Sequence, residues 1–306
     1  MSAVKQAVRA GLRTAVHAPG VRPLLAALGH AGLLPGAVWR RLPAEGETLV
    51  RLPGGASFRY ASTQRDPVGR ALTWRGWRGY EAETVRVFLR LAARAHGVVD
   101  VGACTGLFAL LALATNPTSR VIAFEPVPRV RALLGANLRL NGWHERCEVR
   151  AEAVADAPGS AHMRVPCLDL PVSSSISPDV AWRHATEAIT VSVTTLDVAC
   201  AGMASVDVAK LDAEFVEDRV LAGMGRILAA HRPAIIFECH AGGPHERVGE
   251  LLSAAGYALA HLLPGGPRPV ECITPDPRER WLNFLATPVE RDLDELLAPG
   301  RRREQR

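Results

Sequence analysis

Four apolar runs in this chain end on residues that can do chemistry. The stretch Val98-Val99-Asp100-Val101-Gly102-Ala103-Cys104-Thr105-Gly106 leads into a turn with two glycines and then into a helical pattern. Gly102 and Gly106 would let the backbone approach a ligand closely, and the helix behind them offers free N–H groups and positive dipole. Val121-Ile122-Ala123-Phe124-Glu125-Pro126 delivers a carboxylate 23 residues after Gly102. At the end of the next strand of a doubly wound sheet, such an acid can accept from both hydroxyls of a ribose. Taken singly, a steric turn glycine and a helix-capping acid are the structural alternatives. The turn reads G-x-x-x-G behind the acidic Asp100 and lacks the G-x-G-x-x-G of dinucleotide sites. That pattern favours S-adenosylmethionine, whose sulfonium and amino acid end tolerate a nearby acid, over a pyrophosphate.

The third segment, Val208-Ala209-Lys210-Leu211-Asp212-Ala213-Glu214-Phe215-Val216-Glu217, empties a strand into three carboxylates. Acids in a first helical turn complement the dipole, which accounts for part of Glu217 but less well for Asp212. The fourth, Phe237-Glu238-Cys239-His240, brings another carboxylate and an imidazole to the same strand ends. Lys210 stands out because 34 of the 36 basic residues are arginine and only Lys5 accompanies it. If methyl transfer to an alcohol is the reaction, the acceptor's proton must be removed as the bond forms. His240 is the first choice of base, because imidazole titrates near working pH, and Asp212 is the alternative. Lys210 would orient the acids or the acceptor. Mg²⁺ held by the hard oxygens of Asp212, Glu214 and Glu238 is chemically feasible, but no metal is assigned.

These segments need a sheet to position them. From residue 97 onward, β-branched runs alternate with helical patterns, the signature of an α/β, doubly wound Rossmann-like sheet. The expected strands are 97–101, 120–124, 147–153, 206–211, 234–239, 258–262 and 281–286, seven in all, with helices over 107–115, 129–140, 216–230 and 245–255. Pro128 and Asn141-Gly142 punctuate the second helix. Residues 157–198 break the alternation and read as an inserted hairpin with a mobile loop at Ser173–Ser177 that could close over ligand. Residues 1–80 read as an N-terminal extension of basic helical segments and a hairpin over Thr48–Ala61 that turns at Pro53-Gly54-Gly55. Trp74, Trp77 and Tyr80 are expected to pack it onto the sheet. The main domain is then 81–290, followed by a basic tail, 291–306.

Composition bounds the function. With 306 residues, 48% apolar and 22% charged, the chain is too hydrophobic to be disordered and too long for a disulfide mini-scaffold. The net charge of +5 is unevenly spread: residues 1–44 carry +6, the last six +3, and the body between them −4. Six dispersed cysteines form no C-x-x-C pair, and the apolar stretch near Leu24–Trp39 is interrupted by prolines and glycines. A cytoplasmic location is the default. No interleaved aromatic and basic motif supports nucleic-acid binding; peripheral membrane contact through 1–44 is open.

The ordered series Tyr80-Glu81, Val99-Asp100-Val101-Gly102-Ala103, Ala123-Phe124-Glu125-Pro126, Asn137-Leu138-Arg139-Leu140-Asn141-Gly142, Thr194-Thr195-Leu196-Asp197 and Lys210-Leu211-Asp212-Ala213-Glu214 resembles the FkbM-type S-adenosylmethionine-dependent methyltransferases. The resemblance spans about 48–286. It implies that Asp100, Gly102, Gly106 and Glu125 hold S-adenosylmethionine and that Lys210, Asp212 and Glu214 lie at the active site. The expected activity is O-methyl transfer to a free hydroxyl of a small sugar or secondary-metabolite acceptor. A nicotinamide oxidoreductase and a non-catalytic binder of anionic surfaces are the alternatives. Two departures from the family pattern stand out. Cys104 replaces the usual Asn of the glycine turn, and Phe215 replaces the glycine that follows Glu214, putting a large ring beside the acceptor site.

Overall fold

A computed structural model describes residues 14, 16, 18, 20–171, 173–178, 180, 182 and 184–293. Lys5, Arg9, Arg13 and all but the first three residues of the basic tail lie outside them. The chain forms two compact units, Met1–Val85 and Arg86–Arg306.

In the first unit, helices α1 (Val21–His30) and α2 (Gly36–Trp39) precede an antiparallel hairpin, β1 (Gly46–Arg51) and β2 (Ser57–Ser62), and helix α3 (Pro67–Arg75). The hairpin turns where expected, at Pro53–Gly55, with Gly54 and Gly55 at positive φ. Asp66 starts α3 by accepting from the Gly69 N–H at 2.9 Å, and it also accepts from the Tyr60 hydroxyl at 2.9 Å. Trp74 is fully buried against Leu34, Leu42 and Ala44, so it belongs to this unit's own core. Helix α4 (Ala82–Ala92) follows.

The second unit is built on β3 (Gly97–Val101), α5 (Leu107–Thr115), β4 (Arg120–Phe124), α6 (Pro128–Leu140) and β5 (Cys147–Arg150). Two short excursions come next, β6 (Ala153–Val154) with the hairpin β7 (Gly159–Pro166) and β8 (Thr186–Thr194), and then α7 (Leu196–Ala199). The sheet resumes with β9 (Val208–Leu211), α8 (Glu217–Ala222), α9 (Gly225–Ala230), β10 (Ala234–Glu238), α10 (His245–Ala254), β11 (Tyr257–Leu263), β12 (Gly266–Val270) and β13 (Asn283–Pro288). The order across the sheet is β12-β11-β13-β10-β9-β3-β4-β5. Strands β5, β4, β3, β9 and β10 are parallel, and β13 runs antiparallel between β10 and β11. The chain is therefore an α/β protein with a mostly parallel, Rossmann-like sheet. Its order reverses between β3 and β9, which puts the ligand crevice at the carboxyl ends of those two strands.

Burial explains the regularity. Every residue of β3 and every residue of β9 is buried, as continuous apolar runs are in a sheet covered on both faces. Helix α5 is apolar nearly all round and is buried from Leu107 through Leu113.

Three expectations are corrected. The sheet has eight strands; β12 was missed because Pro267 and Pro269 interrupt it, and prolines are tolerated there because it is an edge. The run 147–153 is no single strand: β5 stops at Arg150, and Ala153–Val154 pairs with β8 in a separate three-stranded sheet with β7. The run 216–230 breaks into α8 and α9 at Gly223, where a Cβ would sit 2.2 Å from the Ala155 carbonyl oxygen. The insertion contains the expected hairpin; Ser175 and Ser177 of its loop are buried, and Ser175 bridges Arg164 of β7.

Candidate active site

The turn after β3 is shaped by its own backbone and by two buried acids. Gly102, Cys104 and Gly106 all sit at positive φ (74°, 49° and 92°). Gly102 permits a close approach: a Cβ there would lie 1.8 Å from the carbonyl oxygen of Asp212. The Asp100 carboxylate accepts from the Ala109 N–H at 3.1 Å, so it caps the first turn of α5 from the strand below and fixes the direction of the helix. Asn137 on α6 holds the same turn from outside, its side-chain amide donating to the Thr105 carbonyl at 3.0 Å. Asn137 belongs to a motif whose role was not legible from sequence.

Glu125 stands at the end of β4 beside this turn. Its two carboxylate oxygens accept from the Cys104 N–H (3.0 Å) and the Val127 N–H (2.8 Å). One lone-pair site on each oxygen remains for a ligand. Burial pushes its pKa up to about 7, against the lowering effect of those two hydrogen bonds.

Across Gly102 lies the end of β9. Lys210 is 1% exposed; its ammonium contacts Asp212 Oδ2 at 3.2 Å and sits 5.2 Å from the centre of the Phe108 ring. Burial pushes the Asp212 carboxyl up, but the Lys210 charge and a hydrogen bond shared with Glu238 outweigh it and hold the pKa below the usual value.

Glu214 and Phe215 follow at φ 52° and 74°, two consecutive non-glycine residues in the left-handed region. This geometry gives a conformational reason for glycine at the second position; Phe215 adopts it at a cost of order 1–3 kcal/mol. Its ring stacks on His240, with centroids 4.9 Å apart and planes within 6°. The Ser175 hydroxyl donates to the Glu214 carbonyl and ties the insertion to this turn. Glu217, also buried, closes the turn by accepting from the Ala213 N–H at 2.9 Å, and burial raises its pKa to about 7.

His240 lies among three carboxylates. Its Nε2 is 3.5 Å from Glu214 and 3.6 Å from Glu238, and Nδ1 is 3.5 Å from Glu279. Burial disfavours the imidazolium, but hydrogen-bonding contact with Glu214, its charge, and the same two effects of Glu279 prevail and raise the pKa. Glu279 is the neighbour that sequence reasoning missed, because it arrives from a connection far along the chain with no local pattern to announce it; Ser175 comes from the Ser173–Ser177 loop that the sequence singled out.

The structure thus brings Lys210, Asp212, Glu214 and His240 together on one side of Gly102, and Asp100, Gly106 and Glu125 on the other. A separate cavity of about 770 Å³, lined by His96, Arg120, His144 and Arg146 among others, lies at the opposite ends of β3 and β4. That is the wrong edge of a doubly wound sheet for its ligand.

Comparison with known families settles the relationship: residues 100–259, more than half of the chain, match the methyltransferase FkbM domain. The chain belongs to the FkbM methyltransferase family. No curated protein matches this FkbM-type chain. Among solved structures, a methyltransferase FkbM from Methylobacillus flagellatus is similar at 17% identity and TM-score 0.41, over 63% of this chain and 43% of that one. This FkbM-type chain therefore spans less than half the length of that relative. A SAM-dependent methyltransferase from Agrobacterium tumefaciens is similar at 13% identity and TM-score 0.45, over 84% and 80% of the two chains. A SAM-dependent O-methyltransferase from Thermotoga maritima is similar at 15% identity and TM-score 0.40, over 82% and 79%.

Proposed function

We propose that the chain is an S-adenosylmethionine-dependent O-methyltransferase whose acceptor is a hydroxyl of a small sugar or secondary metabolite. The observation that carries this reading is the close approach at Gly102. It sets the glycine turn against the acid-rich end of β9, while Glu125 holds the same turn through the Cys104 N–H, the side-by-side arrangement that a cofactor and an acceptor need. The free lone pairs of Glu125 suit a ribose diol, the turn suits the amino acid end, and Asp100 and Asn137 keep the turn in shape.

Methyl transfer is an in-line displacement: the acceptor oxygen forms a bond to the methyl carbon, the carbon–sulfur bond breaks, and the electron pair leaves with sulfur as a neutral thioether. The protein aligns the three atoms and excludes water. The hydroxyl proton needs an acceptor. The carboxylates around His240 favour its imidazolium, which has no lone pair to offer, so the proton goes to Asp212, ionised beside Lys210. His240 and Glu214 position the acceptor, and Phe215 narrows its pocket.

The test is calorimetric titration with S-adenosylmethionine alongside a turnover assay on candidate alcohols. Glu125→Ala should lose cofactor binding; Asp212→Ala should keep binding and lose turnover. If neither substitution changes either quantity, the site assignment is wrong.

A further inference from the structure

We propose that Glu214, Glu238 and His240 form a site for a divalent first-row transition cation, Zn²⁺ or Mn²⁺ in type, beside the acceptor pocket. One ligand atom from each residue lies within 4.8 Å of the other two. The separations are informative. His240 Nε2 stands 3.5 Å from Glu214 Oε2 and 3.6 Å from Glu238 Oε1, beyond the usual N–H···O range of about 2.7–3.2 Å. Metal–nitrogen and metal–oxygen bonds of roughly 2.0–2.2 Å in a tetrahedral arrangement place two ligand atoms about 3.4 Å apart. The two His240 separations match the edges of a metal polyhedron more closely than those of short hydrogen bonds.

His240 Nε2 is itself buried and has no hydrogen-bond partner. The ring nitrogen faces two carboxylates at loose ion-pair distance, where a cation could take the place of its proton. The ring is held on its other sides: Nδ1 lies 3.5 Å from the Glu279 carboxylate, and Phe215 stacks on the ring face. One imidazole with two carboxylates suits Mn²⁺, Fe²⁺, Co²⁺ or Zn²⁺; the ion takes the Nε2 lone pair and so displaces the proton that these carboxylates otherwise favour on His240. The ligand set differs from the Asp212, Glu214 and Glu238 triad suggested by sequence, because Asp212 is already paired with the buried Lys210. Side-chain exposures of 15–18% leave an entry path, and three protein ligands leave a position open for an oxygen from outside. Resting on the methyl-transfer reading above, that oxygen is the acceptor hydroxyl, made more acidic by the ion while Asp212 takes the proton.

The test uses the full chain, stripped of metal by chelation and titrated with Co²⁺ as a spectroscopic probe, then with Zn²⁺ in competition. One Co²⁺ per chain with visible ligand-field bands, displaced by Zn²⁺, is expected. His240→Gln and Glu238→Gln should each weaken it by more than about tenfold, with S-adenosylmethionine binding retained in both as the sign of an intact fold. Absence of a saturable Co²⁺ spectrum in the unsubstituted chain overturns the proposal, as does undiminished Co²⁺ binding in both variants. Co²⁺ binding of the expected kind in a chain that fails to bind S-adenosylmethionine upholds the cation site and overturns the methyltransferase reading instead.

Discussion

Glu125 offers a test in which two pH dependences run in opposite directions. Its pKa in the folded chain is about 7, against an ordinary value of 4.5, because it is buried. A carboxyl whose folded pKa is raised contributes stability that is fully present below its unfolded pKa and lost as the pH rises through the folded one. The shift of about 2.5 units corresponds to roughly 3 kcal/mol lost between pH 4.5 and 7 in the ligand-free protein. Cofactor binding should do the reverse. Only the ionised carboxylate can accept from both ribose hydroxyls while still holding the Cys104 and Val127 N–H groups, so affinity is full above pH 7 and falls about tenfold per unit below it, to around a hundredth at pH 5. Glu125→Gln is neutral throughout and keeps one acceptor oxygen, so it should flatten both curves and bind S-adenosylmethionine roughly a hundredfold more weakly at pH 8. The assay is calorimetric titration at five pH values, paired with denaturant unfolding of the apoprotein; Glu217 contributes to the stability trend, and the difference between the two proteins isolates Glu125. Wild-type affinity unchanged from pH 5 to 8, or Glu125→Gln binding as tightly as the parent, would refute the assignment of Glu125 to the ribose.

Three further outcomes are expected. Cys104 holds a left-handed conformation that Asn adopts more readily, so Cys104→Asn should stabilise the chain by about 1 kcal/mol, a rise of roughly 1–2 °C in Tm by calorimetry; a lower Tm contradicts the backbone argument. Lys210→Met leaves the Asp212 carboxylate without its ammonium and should cost around 3 kcal/mol of stability, with turnover reduced far more than S-adenosylmethionine affinity; equal loss of both places Lys210 at the cofactor instead. Leu24, Leu28, Leu33 and Val38 are exposed within the basic segment 1–44, so the chain should sediment with anionic vesicles, and Leu24→Glu with Leu33→Glu should release it; salt-independent sedimentation unaffected by these changes removes the membrane contact.

What the sequence revealed follows from how local each signal is. The strand-turn-helix at 97–115 reads directly because three local rules agree there: a continuous buried strand, glycines where the turn needs positive φ, and an apolar helix behind them. Helix α6 reads equally well, with proline at its first position and Asn141-Gly142 at its end. Strand β12 hides behind its prolines, and the break at Gly223 depends on Ala155, 68 residues earlier, which no local pattern encodes. The site divides in the same way. Strand-end acids were legible as a set, since a doubly wound sheet gathers them at one rim. Their individual duties were not: Asp100 caps a helix and Lys210 is sealed beneath Asp212, while Glu279 and Ser175 reach the His240 pocket from connections whose paths only the tertiary fold sets.

Titration of the purified full chain with S-adenosylmethionine by isothermal calorimetry at pH 8 tests the central claim most directly. Saturable binding of one molecule per chain, abolished by Glu125→Ala, is the expected result. No heat of binding with S-adenosylmethionine under conditions where the reduced nicotinamide cofactor does bind would contradict it.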